Sequence, residues 1–404
     1  MSCTFCPLPW SHLSTHPLGD VSLCCHADNQ NSIGSSMNFK DNTKLDLNSN
    51  TIEEIMNSDS FKKARMEMLN GKRPKACMSC FDKEDKGARS RRLEEVKEGY
   101  FTLKDAKETT EPNGEIQVNL RKVELRLGNK CNLKCSTCNP VSSSSWKEEY
   151  SEITKNPEIE LPVNYDGIDE KMFNWAESNS FWENLSKHYS HLSEVNINGG
   201  EPMLYSQQTL FLKYLIDKGL SKNITLIYYI NLSFISEEIT KLWVHFKKTI
   251  IHCSIDDIEE RNTFIRYPIK WDILEKNFKK LLDMDVEIKI LQTLSVYNFF
   301  TFEKVATKFL PLSKQINYGI NLVTEPFFLS PLSIPPQERK KKLKEVFSDL
   351  PFEEYRKLTK LLYNDQFEEK NLKIFNTYNN ILLKNRKNNF TKDFSRLYQL
   401  LKNY

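Results

Sequence analysis

The sequence predicts an α/β fold in three parts. A small cysteine-rich domain over residues 1–105 precedes a parallel sheet over 117–330, open or curled into a partial (β/α)6 barrel, and a helical extension follows over 331–404. Three observations predict this. Short β-branched runs alternate with helical patterns in the middle, six of the ten cysteines crowd the first part, and the tail is rich in Lys and Leu at helical spacing.

Ile52, Ile55, Met56, Phe61 and Met68 recur at helical intervals and predict one helix from Ile52 to Leu69. The apolar content around it is thin, and a core that small wants a metal staple. Glu108 to Gly114, with Pro112 and Asn113-Gly114, reads as a polar linker. Beyond it the predicted strands are Lys122 to Leu127, Glu194 to Asn198, Ile224 to Asn231, Ile250 to Ile255, Val286 to Leu294 and Ile316 to Val323. Helical patterns lie between them at Ser143 to Ile153, Gln207 to Lys218, Ser236 to Phe246, Trp271 to Leu282 and Phe302 to Phe309. Such βα units without hairpin turns favour parallel strands, and their chemistry gathers at the strands' carboxyl ends. Residues 139–190, with Trp175, Phe181 and Trp182, form a long connection, read either as an insertion over the site or as a helix-rich linker. The tail, from Ile334-Pro335-Pro336 onward, carries no ligand-like cluster and reads as helices that pad one side of the sheet.

Composition limits the function classes. A net charge of +3 with interleaved acids and bases gives no case for nucleic acid, and Arg339-Lys340-Lys341-Lys342 reads as a solvated helix face. No apolar run reaches the roughly 18 residues a bilayer span needs, and Met1 leads straight into Cys3 and Cys6, so a cytoplasmic protein is expected. Ten cysteines in such a chain point to metal or catalysis before disulfides.

Cys131, Cys135 and Cys138 give the spacing CxxxCxxC in Gly128-Asn129-Lys130-Cys131-Asn132-Leu133-Lys134-Cys135-Ser136-Thr137-Cys138. Three thiolates hold three irons of a 4Fe-4S cube and leave the fourth for another molecule. At this chain's cysteine frequency the pattern arises by chance in roughly six of a thousand such chains. A zinc site stays open as an alternative, although no fourth Cys or His stands nearby. Gly199-Gly200-Glu201-Pro202 follows the second predicted strand, Asn231 closes the third, and Ser254 and Asp256 close the fourth. Cys253, inside an apolar strand, reads as a buried inert thiol.

On the cysteine loop and the Gly-Gly-Glu-Pro turn, residues 120–325 resemble the radical S-adenosylmethionine superfamily. The resemblance implies a radical SAM barrel in which the three cysteines hold a [4Fe-4S] cluster and the methionyl group of S-adenosylmethionine chelates the open iron. It further implies that Gly199, Gly200 and Glu201 receive the methionyl ammonium while Pro202 fixes the turn. Asn231, Ser254 and Asp256 lie where the family contacts the cofactor, and Arg266 is placed to pair with its carboxylate. Each of the last three has a plain structural alternative as a strand-end cap, a helix cap or an ion pair. Thr137 departs from the aromatic residue often found before the third cysteine.

A second resemblance covers the first 92 residues. Cys6, Gly19 and Cys24 follow the opening pattern of SPASM and twitch modules, Cys77 and Cys80 add two thiolates, and Phe81 to Arg92, with Glu84, Gly87, Ser90 and Arg92, is similar to twitch-containing enzymes. It implies an auxiliary [4Fe-4S] cluster on Cys6, Cys24, Cys77 and Cys80. Cys3 and Cys25 leave that ligand choice open, and paired knuckles Cys3/Cys6 and Cys77/Cys80 leave open a zinc-stapled binding protein without catalysis. Together the resemblances imply an enzyme that cleaves S-adenosylmethionine to a 5'-deoxyadenosyl radical and modifies a peptide or protein oxidatively, with dehydrogenation of a sugar-type small molecule as the alternative. The implied partners are that substrate and an electron donor such as flavodoxin or ferredoxin.

Overall fold

The computed structural model describes residues 4–27, 39–40, 43–87, 89–162, 165, 168–189, 191–347, 349–386 and 388–403. Cys3 lies outside them. The chain folds into two compact units, one of Met1–Lys130, Val163–Tyr228 and Glu237–Lys248, the other of Cys131–Pro162, Tyr229–Ser236 and Thr249–Tyr404.

In the first unit the strands are β1 (His12–Thr15), β2 (Val21–Ser22), β3 (Phe39–Lys40), β4 (Thr43–Lys44), β5 (Lys122–Arg126), β6 (Glu194–Asn198) and β7 (Thr225–Ile230). The sheet order is β7-β6-β5-β1-β2, with β3 and β4 forming a separate ribbon. β5, β6 and β7 pair in parallel, Leu125 standing opposite Ile197 and Ile197 opposite Tyr228. The α/β class with parallel strands, expected from sequence, is borne out. β1 was not expected. It joins the sheet in parallel with β5, Leu13 opposite Val123, and its four residues are all buried. Three of them are His or hydroxyl residues, so no alternation of apolar and polar side chains marked the strand.

The expected helix from Ile52 to Leu69 is two helices, Ile52–Met56 and Asp59–Leu69. The break is a tertiary effect. Arg65, fully buried, donates from Nη2 to Met56 O at 2.9 Å and to Asn57 Oδ1 at 3.1 Å, and from Nη1 to Pro9 O at 3.0 Å. Asn57 is further held by Ile116, whose N–H donates to Oδ1 and whose carbonyl accepts from Nδ2, both at 3.0 Å. Carbonyls at a helix end need such donors, and here a guanidinium from the following helix supplies one. The segment read as a linker, Glu108 to Gly114, is anchored too: its first two residues end the helix Leu103–Thr109, and Gly114 O accepts from Arg65 Nε at 2.9 Å.

The long connection also joins the core. Trp175, Phe181 and Trp182 are buried, Trp175 meets Phe181 edge to face at 4.7 Å, and Trp175 Nε1 donates to Pro17 O at 3.0 Å.

In the second unit β8 (Lys248–Ser254), β9 (Glu287–Leu294) and β10 (Ile316–Leu322) run parallel in the order β10-β9-β8. Ile251, Cys253, Ile288, Ile290 and Leu294 are buried at period two, and Cys253 has no exposure, as expected of an inert thiol. Trp271–Leu282 has the predicted bounds because Leu274, Phe278 and Leu281 recur on one helical face. Each such side chain contributes about 2 kcal/mol on burial. The tail is helical as expected, including Pro336–Glu345, Phe352–Leu362 and Glu369–Asn385. Its Phe375 and Phe394 stack edge-on against Tyr297, and Phe390 and Phe394 pack on Phe264. Among the described residues no helix is long and apolar enough to cross a membrane.

Candidate iron–sulfur sites

The loop from Cys131 to Cys138 belongs to the second unit. It has almost no regular structure of its own, so its shape comes from hydrogen bonds to other segments. Lys134 N donates to Tyr267 O at 2.7 Å and Ser136 N to Ile265 O at 2.6 Å. Trp146 Nε1 donates to Cys135 O at 2.9 Å, and Ser145 Oγ to Cys131 O at 2.7 Å. Within the loop, Cys138 N donates to Cys135 O at 2.9 Å, and the Leu133 amide points at Cys131 Sγ from 3.5 Å. The three thiols interact electrostatically, since Cys135 and Cys131 both push Cys138 further up after burial has done most. Such a set wants positive charge, which iron would supply.

Asn231 follows β7, and its Nδ2 lies 3.9 Å from Cys131 Sγ and 3.2 Å from Asn132 Oδ1. Asp256 and Arg266, both expected at the cofactor, bind one another: Nη1 of Arg266 donates to Oδ2 of Asp256 at 2.9 Å. Asp256 Oδ1 accepts from Thr293 N at 2.8 Å, so this carboxylate is already fixed. Burial works against the Arg266 charge, but Cys135 and Asp256 beside it hold the guanidinium above its usual range. Arg266 Nε is buried without a hydrogen-bond partner. A buried donor left over beside the thiols fits an anionic cluster. Ser254 ends β8, and its side chain is half-exposed.

The Gly-Gly-Glu-Pro turn lies in the first unit, directly after β6. Gly199 has φ +129°, a conformation that favours glycine. At Gly200 a Cβ would stand 2.3 Å from Lys130 O, so the chain passes closer than any side chain permits. Gly200 N donates to Gly128 O at 3.0 Å and Glu201 N to Lys130 O at 2.9 Å. The turn is therefore laid along residues 128–130 of the same unit. Glu201 is buried, and its Oε1 accepts from Met203 N at 3.1 Å, while Pro202 opens the short 3-10 turn Pro202–Leu204.

The other four candidate thiols also lie in the first unit. Cys6 precedes the short helix Leu8–Ser11, Cys24 sits in the turn after β2, and Cys77 and Cys80 flank the start of helix Met78–Asp85. Burial pushes the Cys6 thiol well up, with Cys24 and Cys77 adding to it, and burial, with Cys80 adding, pushes the Cys24 thiol up to about 11. Ser79 Oγ donates to His26 O at 2.6 Å, tying the Cys24 turn to the helix that carries Cys80.

Three of the four residues singled out between Phe81 and Arg92 work together. Arg92 Nε donates to Glu84 Oε1 at 2.9 Å, Ser90 hydrogen-bonds Glu84, and Arg92 Nη1 donates to Phe5 O at 2.9 Å. The guanidinium thus joins the Cys80 helix to the residue before Cys6. Cys25 takes another direction: Arg91 Nη1 donates to its sulfur, and burial together with Glu124 pushes its thiol up to about 12.

Among the described residues no three His, Cys, Asp or Glu side chains are gathered tightly enough to hold a single metal ion. A tetrahedral zinc site needs sulfurs about 4 Å apart; a four-iron cube, with its ligands on separate irons, spans a wider set.

Residues 6–81 match the SPASM family model, described as an iron-sulfur cluster-binding domain. The expected likeness of the N-terminal region to an iron–sulfur module is thereby borne out. No curated protein matches the chain. Among solved structures, native anSMEcpe with bound AdoMet is 19% identical over 56% of this chain and 59% of that chain, with a TM-score of 0.38. Streptococcus suis SuiB bound to S-adenosylmethionine is 12% identical over 76% and 65%, with a TM-score of 0.36. SuiB bound to precursor peptide SuiA has a TM-score of 0.33. The chain thus spans less than two thirds of the length of these proteins.

Sequence reasoning missed three contributors to the cysteine loop. Arg386 and Tyr378, in the tail, and Glu149 all engage it or its supports. Nothing in the spacing separates Arg386 from the other cations of the tail, because its partners are 122 to 252 residues away.

Proposed function

We propose that the chain is a radical S-adenosylmethionine enzyme with a SPASM-like auxiliary module, and that it modifies a peptide or protein oxidatively. The observation that carries this reading is the coexistence of two thiol sets in one chain: a three-cysteine loop one ligand short of a cube, and a four-cysteine set inside the SPASM match. In this reading Cys131, Cys135 and Cys138 hold the first cluster, and Cys6, Cys24, Cys77 and Cys80 the second. Held by Cys131, Cys135 and Cys138, such a cluster would supply the electron for reductive cleavage of S-adenosylmethionine to methionine and a 5'-deoxyadenosyl radical, the species that would abstract hydrogen from the substrate.

The chain's own residues bind and orient. Gly199 and Gly200 let the backbone approach the methionyl group closely, and Glu201 supplies an acceptor for its ammonium. Arg266, held by Asp256, presents positive charge to the thiolates and to a carboxylate beside them. Asn231 offers an amide at Cys131, and Ser254 a hydroxyl at the end of β8. The four-thiol set, with no open position, suits an electron acceptor and therefore net oxidation of the substrate. An external one-electron donor such as flavodoxin or ferredoxin completes the cycle.

Anaerobic purification with metal analysis tests this reading. About eight irons per chain are expected, together with 5'-deoxyadenosine formation under reducing conditions. Zinc without iron overturns it. The peptide assignment is tested separately, by the mass of candidate peptides co-expressed with the protein: a loss of hydrogens supports it, and an unchanged mass alongside oxidation of a polyol sends the reading to small molecules.

A further inference from the structure

The tail was expected to pad the sheet, yet a buried cation from it reaches the cysteine loop. Arg386 is 1% exposed. Its Nη1 donates to Ser136 Oγ at 2.8 Å and to Phe264 O at 3.0 Å. Its Nη2 donates to Lys134 O at 2.7 Å and to Glu149 Oε2 at 2.8 Å. The guanidinium also lies over the rings of Trp146, Phe264 and Tyr267, at 5.4, 5.7 and 5.3 Å. Tyr378, about two helical turns earlier, donates from its hydroxyl to Ser136 O at 2.7 Å.

The chemistry of these contacts is specific. Lys134 and Ser136 flank Cys135, so the two residues on either side of the central thiol are gripped from the tail. Trp146, beneath the guanidinium, donates to Cys135 O itself. Glu149 is shared, since Lys134 Nζ lies 2.9 Å from its other oxygen. Two cations and one carboxylate leave a surplus positive charge beside a loop that would carry three thiolates. Charge and hydrogen bonding around a cluster raise its reduction potential relative to a neutral surround.

We propose that Arg386 is a positioning residue for the cluster: from the C-terminal extension it fixes the Cys131–Cys138 loop through Lys134, Ser136 and Glu149, and its charge raises the cluster's reduction potential. The inference rests on the reading of Cys131, Cys135 and Cys138 as cluster ligands, and would make the extension a working part of the site. A guanidinium suits the task because its fork meets several acceptors in fixed directions, which an ammonium cannot do.

The test uses the full-length protein, reconstituted anaerobically, as Arg386→Met and Arg386→Lys. Cluster loss to an iron chelator is expected to be about tenfold faster in Arg386→Met, with a more negative midpoint potential in EPR-monitored titration and an unchanged auxiliary signal. Arg386→Lys restores the potential but not the retention, which separates charge from grip. Full retention and an unchanged potential in a folded Arg386→Met protein overturn the proposal. Should that variant not fold, Arg386→Lys decides: faster loss of the cluster to the chelator than in wild type supports the proposal, and wild-type retention sinks it. Failure of the parent reading is visible separately, as a wild-type protein that takes no cluster at the loop.

Discussion

The two thiol sets are built in opposite ways. Cys131, Cys135 and Cys138 fall within eight residues, on a loop with almost no regular structure, and distant segments hold it: Ile265 and Tyr267 through their carbonyls, Trp146 through its indole. Cys6, Cys24, Cys77 and Cys80 come from across the first 80 residues, each beside a short element, and hydrogen bonds of Ser79, Glu84 and Arg92 tie those segments to one another. One set is local in sequence and needs distant support. The other is dispersed and is assembled by its own module. Spacing marks candidate ligands, while the supports that hold them follow no spacing at all.

The largest effects separate the sets outright. Cys135→Ala and Cys24→Ala are each expected to halve the iron, from about eight to about four per chain, but only Cys135→Ala abolishes 5'-deoxyadenosine formation. Anaerobic iron assay and chromatography check both, and loss of all iron in either variant would break the independence of the two sets. Next in size is Arg65→Met. It removes four hydrogen bonds to Pro9, Met56, Asn57 and Gly114 inside the first unit, and is expected to cost about 3 kcal/mol. Chemical denaturation measures it, and hydrogen exchange should place the loosening in the first unit.

Gly200→Ala is expected to cost about 2 kcal/mol, because its Cβ meets Lys130 O at 2.3 Å. The predicted signature is weakened S-adenosylmethionine binding by calorimetry with iron content retained. A wild-type affinity would show that the Gly-Gly-Glu turn does not serve the cofactor.

A separate effect is one of pH. His12 and His16 of the first unit are both held below the usual imidazole value by burial, His12 also by Arg91 and Lys122, and His16, at about 4, also by Arg126. A folded-state value below the unfolded one means the unfolded chain binds more protons. Stability from these groups is therefore fully present above about pH 6.5 and is lost as pH falls from there toward 4. Hydrogen exchange at stepped pH should show segments around β1 opening first, and His16→Gln should reduce that sensitivity.

Much of the arrangement was legible before any coordinates. The strand over Glu194 to Asn198 and the helix over Trp271 to Leu282 have the bounds read from period-two and helical spacing, because burial of one face is written directly into residue order. β1 was not legible, since His12, Ser14 and Thr15 are polar residues buried by what surrounds them. The split at Asn57 and Ser58 was hidden for the same reason: its cause is Arg65 reaching back to Met56 and Asn57.

The sequence alone determined the donor chemistry: which cysteines stand at ligand spacing, that a Gly-Gly-Glu turn ends a strand, and that parallel strands alternate with helices. These are properties of neighbours along the chain. Only the tertiary structure decided that Asp256 and Arg266 bind each other, that Cys25 turns to Arg91 and Glu124, and that Arg386 grips the loop from 250 residues beyond Ser136. A buried charge takes whatever partners the fold brings within hydrogen-bond reach, and that reach is measured in space, not along the chain.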